Sequence, residues 1–386
     1  MASIFVWLDI LNGTVTAGLQ VRMKMPWAAL SMVVGKIVSV GLIVGLIMYM
    51  FPNDPQGGFF PIVLVSIVGA LLTLLLSCLF VSRFFGLWPR WDWVASRKLL
   101  YEAFPFALAL GLHTFYLKSD MILFSMLLPP SVNDVCMVAF CGDTEAGYYK
   151  PATAIMSLGL LIAVFFLNSL LPTLTDKIAR APGEMTRFLQ QSLVFLFGLG
   201  VAAAAGLLLL STEVTLIVAQ PSFVGATDHA LQILAMFLPL AFVSSFFSYL
   251  FIAHGQQHKL IWLSLGAVVF NFVGNLLVIP HFGLIGAATV SVVGAVMLMA
   301  ATVTWALQMK PFPLPWHQLI LIVIVGVGAA GIAFGWHQSI IHWPMILSFV
   351  TTGAIFTVLY ATGLRLANVI HRDDITRLLK RSDSPQ

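Results

Sequence analysis

The sequence predicts an all-α polytopic membrane protein of about ten transmembrane helices, preceded by a partial helix, and three observations carry that prediction. Composition is the first: of 386 residues, 60% are hydrophobic and only 9% charged. With a mean hydropathy of +0.99, the chain has too little polar surface to coat a soluble globule. The second is run length, because hydrocarbon about 30 Å thick needs roughly 20 apolar residues per helix, whereas a membrane strand needs only about 9–11. The third is charge placement. All of the 19 Lys and Arg except Lys36, Lys118 and Lys150 fall in alternate gaps between apolar runs.

Residues 2–21 come first. They have no basic leader and no small-residue cleavage site after an apolar core, so they do not read as a signal peptide. They read as the second half of a membrane helix that enters a turn at Arg22 and Lys24. Apolar runs follow near 27–50, 59–81, 101–128, 149–174, 189–210, 230–253, 258–279, 283–308, 316–336 and 343–368. Bases mark every second gap: Arg83, Arg90, Arg97 and Lys98; then Lys177, Arg180 and Arg187; then Lys259; then Lys310; then the tail from Arg365 to Arg381. Intervening gaps hold Asp54, then Asp134, Asp143 and Glu145, then Glu213 and Asp228, then His281, then His337 and His342. Because short loops rich in Lys and Arg stay cytoplasmic, the base-rich gaps and the C-terminus are assigned to the cytoplasm and the acidic gaps to the outside.

This dispersal also accounts for the net charge of +4, which otherwise suggests a nucleic-acid partner; none is expected. Cys78 lies in an apolar run and reads as a small hydrophobe. Cys136 and Cys141 share the longest external loop, near 129–147, where an oxidising compartment permits a disulfide; two free thiols are the other reading. Two cysteines without nearby His make no zinc site, and no metal or cofactor is expected. No catalytic constellation is visible either: the external loops are short and hold no Gly-x-Ser-x-Gly, His-Glu-x-x-His or phosphate-cradling glycine loop.

Ionisable groups at membrane depth cost about 2.5–3.5 kcal/mol each on insertion scales, so those present are functional candidates. Asp120 stands some nine residues, roughly 14 Å, from the external end of its run, too deep for a short side chain to reach water. His113 and Tyr116 precede it by seven and four residues and share its helical stripe. The stripe fits a titratable site for a coupling cation or proton, and equally an interhelical hydrogen-bond network. Lys118 is rotated about 160° away and either pairs with a neighbouring helix or snorkels outward. Lys150, Thr153, Ser157 and Asn168 lie within about 60° of one another, one polar face along a helix whose leading cation either meets an anionic head group or snorkels at the interface. Lys36 reads as a packing or ion-pair residue. Asn271 and Asn275, spaced i, i+4, read as polar glue between helices. Pro105, Pro172 and Pro280 mark kinks or boundaries.

Several stretches resemble polysaccharide exporters of the multidrug/oligosaccharidyl-lipid/polysaccharide flippase superfamily. Glu102 through Pro105-Phe106, the intrahelical Asp120, Glu145-Ala146-Gly147-Tyr148-Tyr149, and Asn168 through Leu171-Pro172 look like the start of that family's second lobe. Asn271 to Ala288, with Asn-Phe-Val-Gly-Asn before Pro-His-Phe-Gly-Leu-Ile-Gly-Ala-Ala, is similar to its asparagine-rich helix and the turn after it. The resemblance implies two six-helix lobes and two added helices. Residues 1–98 would be an incomplete first lobe lacking its first three helices, 99–308 the second lobe, and 309–386 two further helices with a basic tail.

The activity so implied is transport without covalent chemistry. A lipid-linked oligosaccharide on a polyprenyl diphosphate would move across a bacterial inner membrane by alternating access, with glycan polymerases or other assembly proteins as possible neighbours. Lys150 and Lys118, with Ser157 and Asn168, would bind substrate, while Asp120, His113 and Tyr116 would bind the coupling ion. Competing readings are a multidrug or peptidoglycan-precursor exporter, a membrane glycan polymerase or acyltransferase, and an inactive fragment. Oligomeric state is not legible.

Overall fold

A computed structural model describes residues 7–15, 25–50, 59–82, 92–129, 140–180, 185–256, 258–309, 312–340 and 342–367. Helix carries all the regular structure among them. A short helix, α1, covers 7–15. It is followed by α2 (Met25–Met50), α3 (Phe59–Ser82), α4 (Trp93–Leu127), α5 (Gly142–Arg180) and α6 (Met185–Leu209). Then come α7 (Ser211–Val218), a 3₁₀ turn at Pro221–Phe223, α8 (Ala226–Ala235), α9 (Phe237–Ala253), α10 (His258–Met309), α11 (Trp316–Ser339) and α12 (Met345–Leu366). The apolar run near 230–253 is shared by α8 and α9, those near 258–279 and 283–308 both fall in α10, and each of the others falls in one helix. Among the described residues seven spans are long and apolar enough to cross a membrane, one of them made by α8 and α9 together, and α10, at 52 residues, has a contour of roughly 78 Å, enough to cross twice.

The chain divides into two compact units, residues 1–97 and 98–386. In the first, α2 and α3 cross closely because a small residue faces each contact. A Cβ on Gly35 would overlap the Thr73 side chain, and one on Gly69 would lie 2.6 Å from Ser39. Ser77 Oγ, fully buried, donates to Asn12 Oδ1 at 2.7 Å and lies 3.1 Å from Ser31 Oγ. A cleft of about 120 Å³ opens beside this knot between Asp9, Asn12, Lys36 and Ser39. Lys36, read as a packing or ion-pair residue, is exposed in that cleft.

The second unit has an aromatic core. Phe124, Tyr149, Phe242, Phe246, Phe247 and Phe251 are all buried, with Phe124 edge-on to Tyr149 at 5.4 Å between centroids. A smaller core of Ile322, Ala329, Ala333, Phe356 and Tyr360 joins α11 and α12 to α6, where Tyr360 Oη donates to the Gly198 carbonyl at 2.8 Å. Large apolar side chains on the outer faces, among them Ile324, Val327, Ile332 and Val358, are exposed, as lipid-facing helices require.

Two elements differ from the sequence expectation. The external loop expected over 129–147 is shorter, since α5 starts at Gly142 and takes Asp143 and Glu145 into its first turn, where the helix dipole favours acids. Lys150 therefore sits two turns inside the helix rather than at its start. Also, α10 breaks at Gly283 rather than at Pro280 alone: Gly283 has φ 52°, and a Cβ there would meet the Glu145 carboxylate and Phe140. Only glycine fits, and the break yields two arms, one ending before Gly283 and one beginning at Leu284.

Candidate functional site

Asp120 is the centre of the candidate site. It lies on α4 with its side chain 4% exposed, and three neutral donors from three directions meet its carboxylate. Asn275 Nδ2, from the first arm of α10, donates to Oδ1 at 2.6 Å. Tyr149 Oη, from α5, and Ser291 Oγ, from the second arm of α10, donate to Oδ2 at 3.0 and 3.2 Å. Asn271, one turn before Asn275, accepts from Asn275 Nδ2 at 2.9 Å and from Ser119 Oγ at 2.8 Å. The α10 break makes this convergence possible, because it lets residues 16 apart in one helix, Asn275 and Ser291, flank the same carboxylate.

The inventory of this cluster is one carboxylate surrounded by neutral oxygens and amides. Asn275 Oδ1 and Asn271 Nδ2, on fully buried residues, have no hydrogen-bond partner among the described residues. Hydrogen bonds to a charged acceptor are the strong ones, so three donors stabilise an ionised Asp120 in an otherwise apolar setting. A single negative charge with hard oxygen donors suits one monovalent cation or one proton; a divalent ion would leave a buried positive charge. No cluster of three or more His, Cys, Asp or Glu that could hold a metal occurs among the described residues.

The structure brings together part of the sequence-derived set. Tyr116 is buried beside the cluster, but its hydroxyl points to the Ser291 carbonyl at 3.5 Å rather than to Asp120. The His113 side chain lies outside the described residues. Asn271 and Asn275, read as polar glue between helices, do bond across to α4, Asn271 with Ser119 and Asn275 with Asp120, and through Asn275 the same contact becomes part of the site. Tyr149 was quoted within the Glu-Ala-Gly-Tyr-Tyr motif without a role, and Ser119 and Ser291 carried no signal, as serines in apolar helices are common.

The expected substrate groups stay apart from this centre. Lys118 and Lys150 are exposed. Thr153 and Ser157 return their hydroxyls to the carbonyls of Lys150 and Thr153, and Asn168, exposed, accepts from Tyr249 Oη at 2.7 Å. The polar face of α5 is thus exposed at Lys150 and Asn168 but buried at Thr153. Cys141 is disulfide-bonded, so the free-thiol reading gives way for that residue; Cys136 lies outside the described residues.

Similarity to known proteins follows the same outline. Residues 1–178 match a family described as polysaccharide biosynthesis protein. Over 98% of this chain and 73% of the other, the fold superposes on the lipid II flippase MurJ in an inward closed conformation, with a TM-score of 0.73 at 14% identity. The fold is that of this flippase. An inward-facing multidrug resistance MATE transporter superposes over 80% of this chain and 69% of its own, with a TM-score of 0.61 at 17% identity. An uncharacterized membrane protein of Methanocaldococcus jannaschii is 23% identical over 356 residues, 90% of this chain and 67% of the relative. The chain is thus a multi-span membrane protein with the fold these transporters share, and the family match over residues 1–178 takes in the Asp120 region from which the resemblance was read.

Proposed function

We propose that this chain is a flippase that carries a lipid-linked oligosaccharide, on a polyprenyl diphosphate, from the cytoplasmic to the external leaflet of a cytoplasmic membrane. The single observation that carries the reading is the Asp120 cluster: a buried carboxylate, without a cationic partner among the described side chains, where α4, α5 and both arms of α10 converge. An ion or proton bound there would contact α4, α5 and both arms of α10 at once. Its occupancy can therefore bias one arrangement over another, by as much as its affinity differs between them. Lys150, exposed on the outward polar face of α5, is assigned to the diphosphate; a cation there favours an anionic lipid over an uncharged drug.

Orientation follows the Lys and Arg bias, and contacts within the second unit support the alternation. Gaps assigned to one side touch each other: Gln190 Nε2 donates to the Pro313 carbonyl, Thr227 Oγ1 to the Tyr148 carbonyl, and His337 Nε2 lies 3.0 Å from Glu213 Oε1. A reporter active only in the cytoplasm should therefore give signal when fused after Arg90, Lys177 or Lys310 and none after Asp54, Asp134 or Glu213. Signal at two of the latter three sites removes the orientation.

The function itself is tested in proteoliposomes holding the purified chain and a fluorescent polyprenyl-diphosphate oligosaccharide. Accessibility of the label should change in a manner driven by a sodium or proton gradient, and Asp120→Asn should abolish that dependence. Gradient-independent flipping in both forms overturns the coupling role, and no flipping of this substrate beside efflux of a cationic dye favours the multidrug reading.

A further inference from the structure

Glu145 plays no part in the site just described, yet it is a carboxylate only 9% exposed, and its one hydrogen bond among the described residues is to backbone. Glu145 Oε2 accepts the Leu284 amide at 2.5 Å, the first N–H of the second α10 arm. Gly283, at φ 52°, breaks the helix just before it, so this amide heads the second arm, where the first N–H groups of a helix lack intrahelical acceptors. A carboxylate at this point satisfies the orphan donor and complements the positive end of the arm's dipole.

The consequence lies two turns away. Ser291 is seven residues beyond Leu284, on the same face and roughly 10 Å along the axis. Tyr149 is four residues beyond Glu145, again on the same face and roughly 6 Å along α5. Helix α5 and the second arm are thus joined by two rungs. The outer rung is Glu145 to Leu284. The inner rung is Tyr149 and Ser291, both on Asp120 Oδ2. The outer rung fixes the height and rotation of the arm that delivers Ser291, and the same carboxylate occupies the space that a Cβ at Gly283 would need.

We propose that Glu145 is a positioning residue for the Asp120 ion site: by holding the Leu284 amide it sets the register at which Ser291 and Tyr149 meet Asp120, and so sets the site's affinity for its cation. The inference rests on the reading of Asp120 as an ion site. Partners hydrogen-bonded to metal ligands change metal affinity by about 10–100-fold when removed, and Glu145 orients Ser291 through the helical arm that carries it.

The experiment uses the full chain purified in detergent. Unfolding temperature and tryptophan fluorescence are followed against sodium chloride, with choline chloride as the ionic-strength control, and separately against pH from about 5 to 8. The response that Asp120→Asn eliminates identifies the ion. If no response in either titration depends on Asp120, the ion-site reading itself falls and takes this proposal with it. Given such a response, Glu145→Ala should raise its half-maximal concentration at least about tenfold with the amplitude retained, while Glu145→Gln, which keeps an acceptor oxygen for the amide, should stay within about threefold of wild type. An unchanged half-maximal concentration in Glu145→Ala overturns the proposal. So does an equal shift in Glu145→Gln, since that would make the charge, not the held amide, the agent. Should Glu145→Ala fail to survive purification, Glu145→Asp withdraws the oxygen by one methylene, and for it a half-maximal concentration within about twofold of wild type is the overturning result.

Discussion

Two buried polar clusters in the second unit each hold one carboxylate, and they treat it in opposite ways. At Asp120 the carboxylate meets only neutral donors among the described side chains: Tyr149, Asn275 and Ser291. At Glu213 it meets a histidine. His337 Nε2 lies 3.0 Å away, and His337 Nδ1 is 3.3 Å from Ser348 Oγ and 3.4 Å from Thr352 Oγ1, so α7, α11 and α12 are tied together by a closed set of polar groups. A carboxylate taken up in a closed set of protein groups is finished, and what it offers is attachment. One whose neighbours are all neutral keeps its charge available, and an external cation or proton can complete it. The first arrangement docks the terminal helices. The second suits a site whose occupancy changes.

The sharpest way to break this contrast is to neutralise each carboxylate. Asp120→Asn keeps shape and some hydrogen bonding but cannot hold a charge, so glycan export should fall to background while protein abundance stays near wild type. Abundance that falls with export would make Asp120 as structural as Glu213.

Next in size is Gly283→Ala. Its Cβ would contact Glu145 and Phe140 in a left-handed backbone conformation, and by strain and overpacking it should cost about 2–4 kcal/mol, read as a lower unfolding temperature in detergent. A change below about 0.5 kcal/mol would mean that the break in α10 relaxes easily, and that the two arms are not rigidly set.

Glu213→Ala and His337→Ala should each cost about 2 kcal/mol by leaving a partly buried polar partner unmet, and the double variant should cost little more than either single one. Neither should alter the ion dependence of transport. A shifted ion response in either would show that the terminal helices are coupled to the Asp120 centre.

Tyr149→Phe keeps the ring against Phe124 and removes one donor to Asp120; about 1 kcal/mol of stability should go with it, together with a several-fold change in half-maximal ion concentration. The smallest effect is expected of Lys150→Ala. The side chain is exposed, so stability should stay within about 0.5 kcal/mol. Only the apparent affinity for the diphosphate lipid should weaken, measured as the substrate concentration giving half-maximal flipping.

The class of the protein, the number and positions of its apolar runs, and the alternation of its loops were legible without any coordinates. Each depends on local properties: twenty apolar residues in a row must become helix in lipid, because no other structure satisfies every backbone group there. Asp120 was legible for the same reason, as an acid too deep to reach water. Its partners were not. Asn271 and Asn275 were visible as a polar pair, but a helical period says only which residues share a face, and not which helix that face meets. Ser291 and Tyr149 had no local mark that set them apart. What made a site of these residues was the break at Gly283 and the Glu145 carboxylate beside it, 138 positions apart in sequence yet in contact across two elements. Sequence fixes the cost of burying a charge, which is set by the residue and the solvent. Tertiary structure decides what meets that charge, because donors from α5 and from both arms of α10 come within bonding distance only when the helices pack.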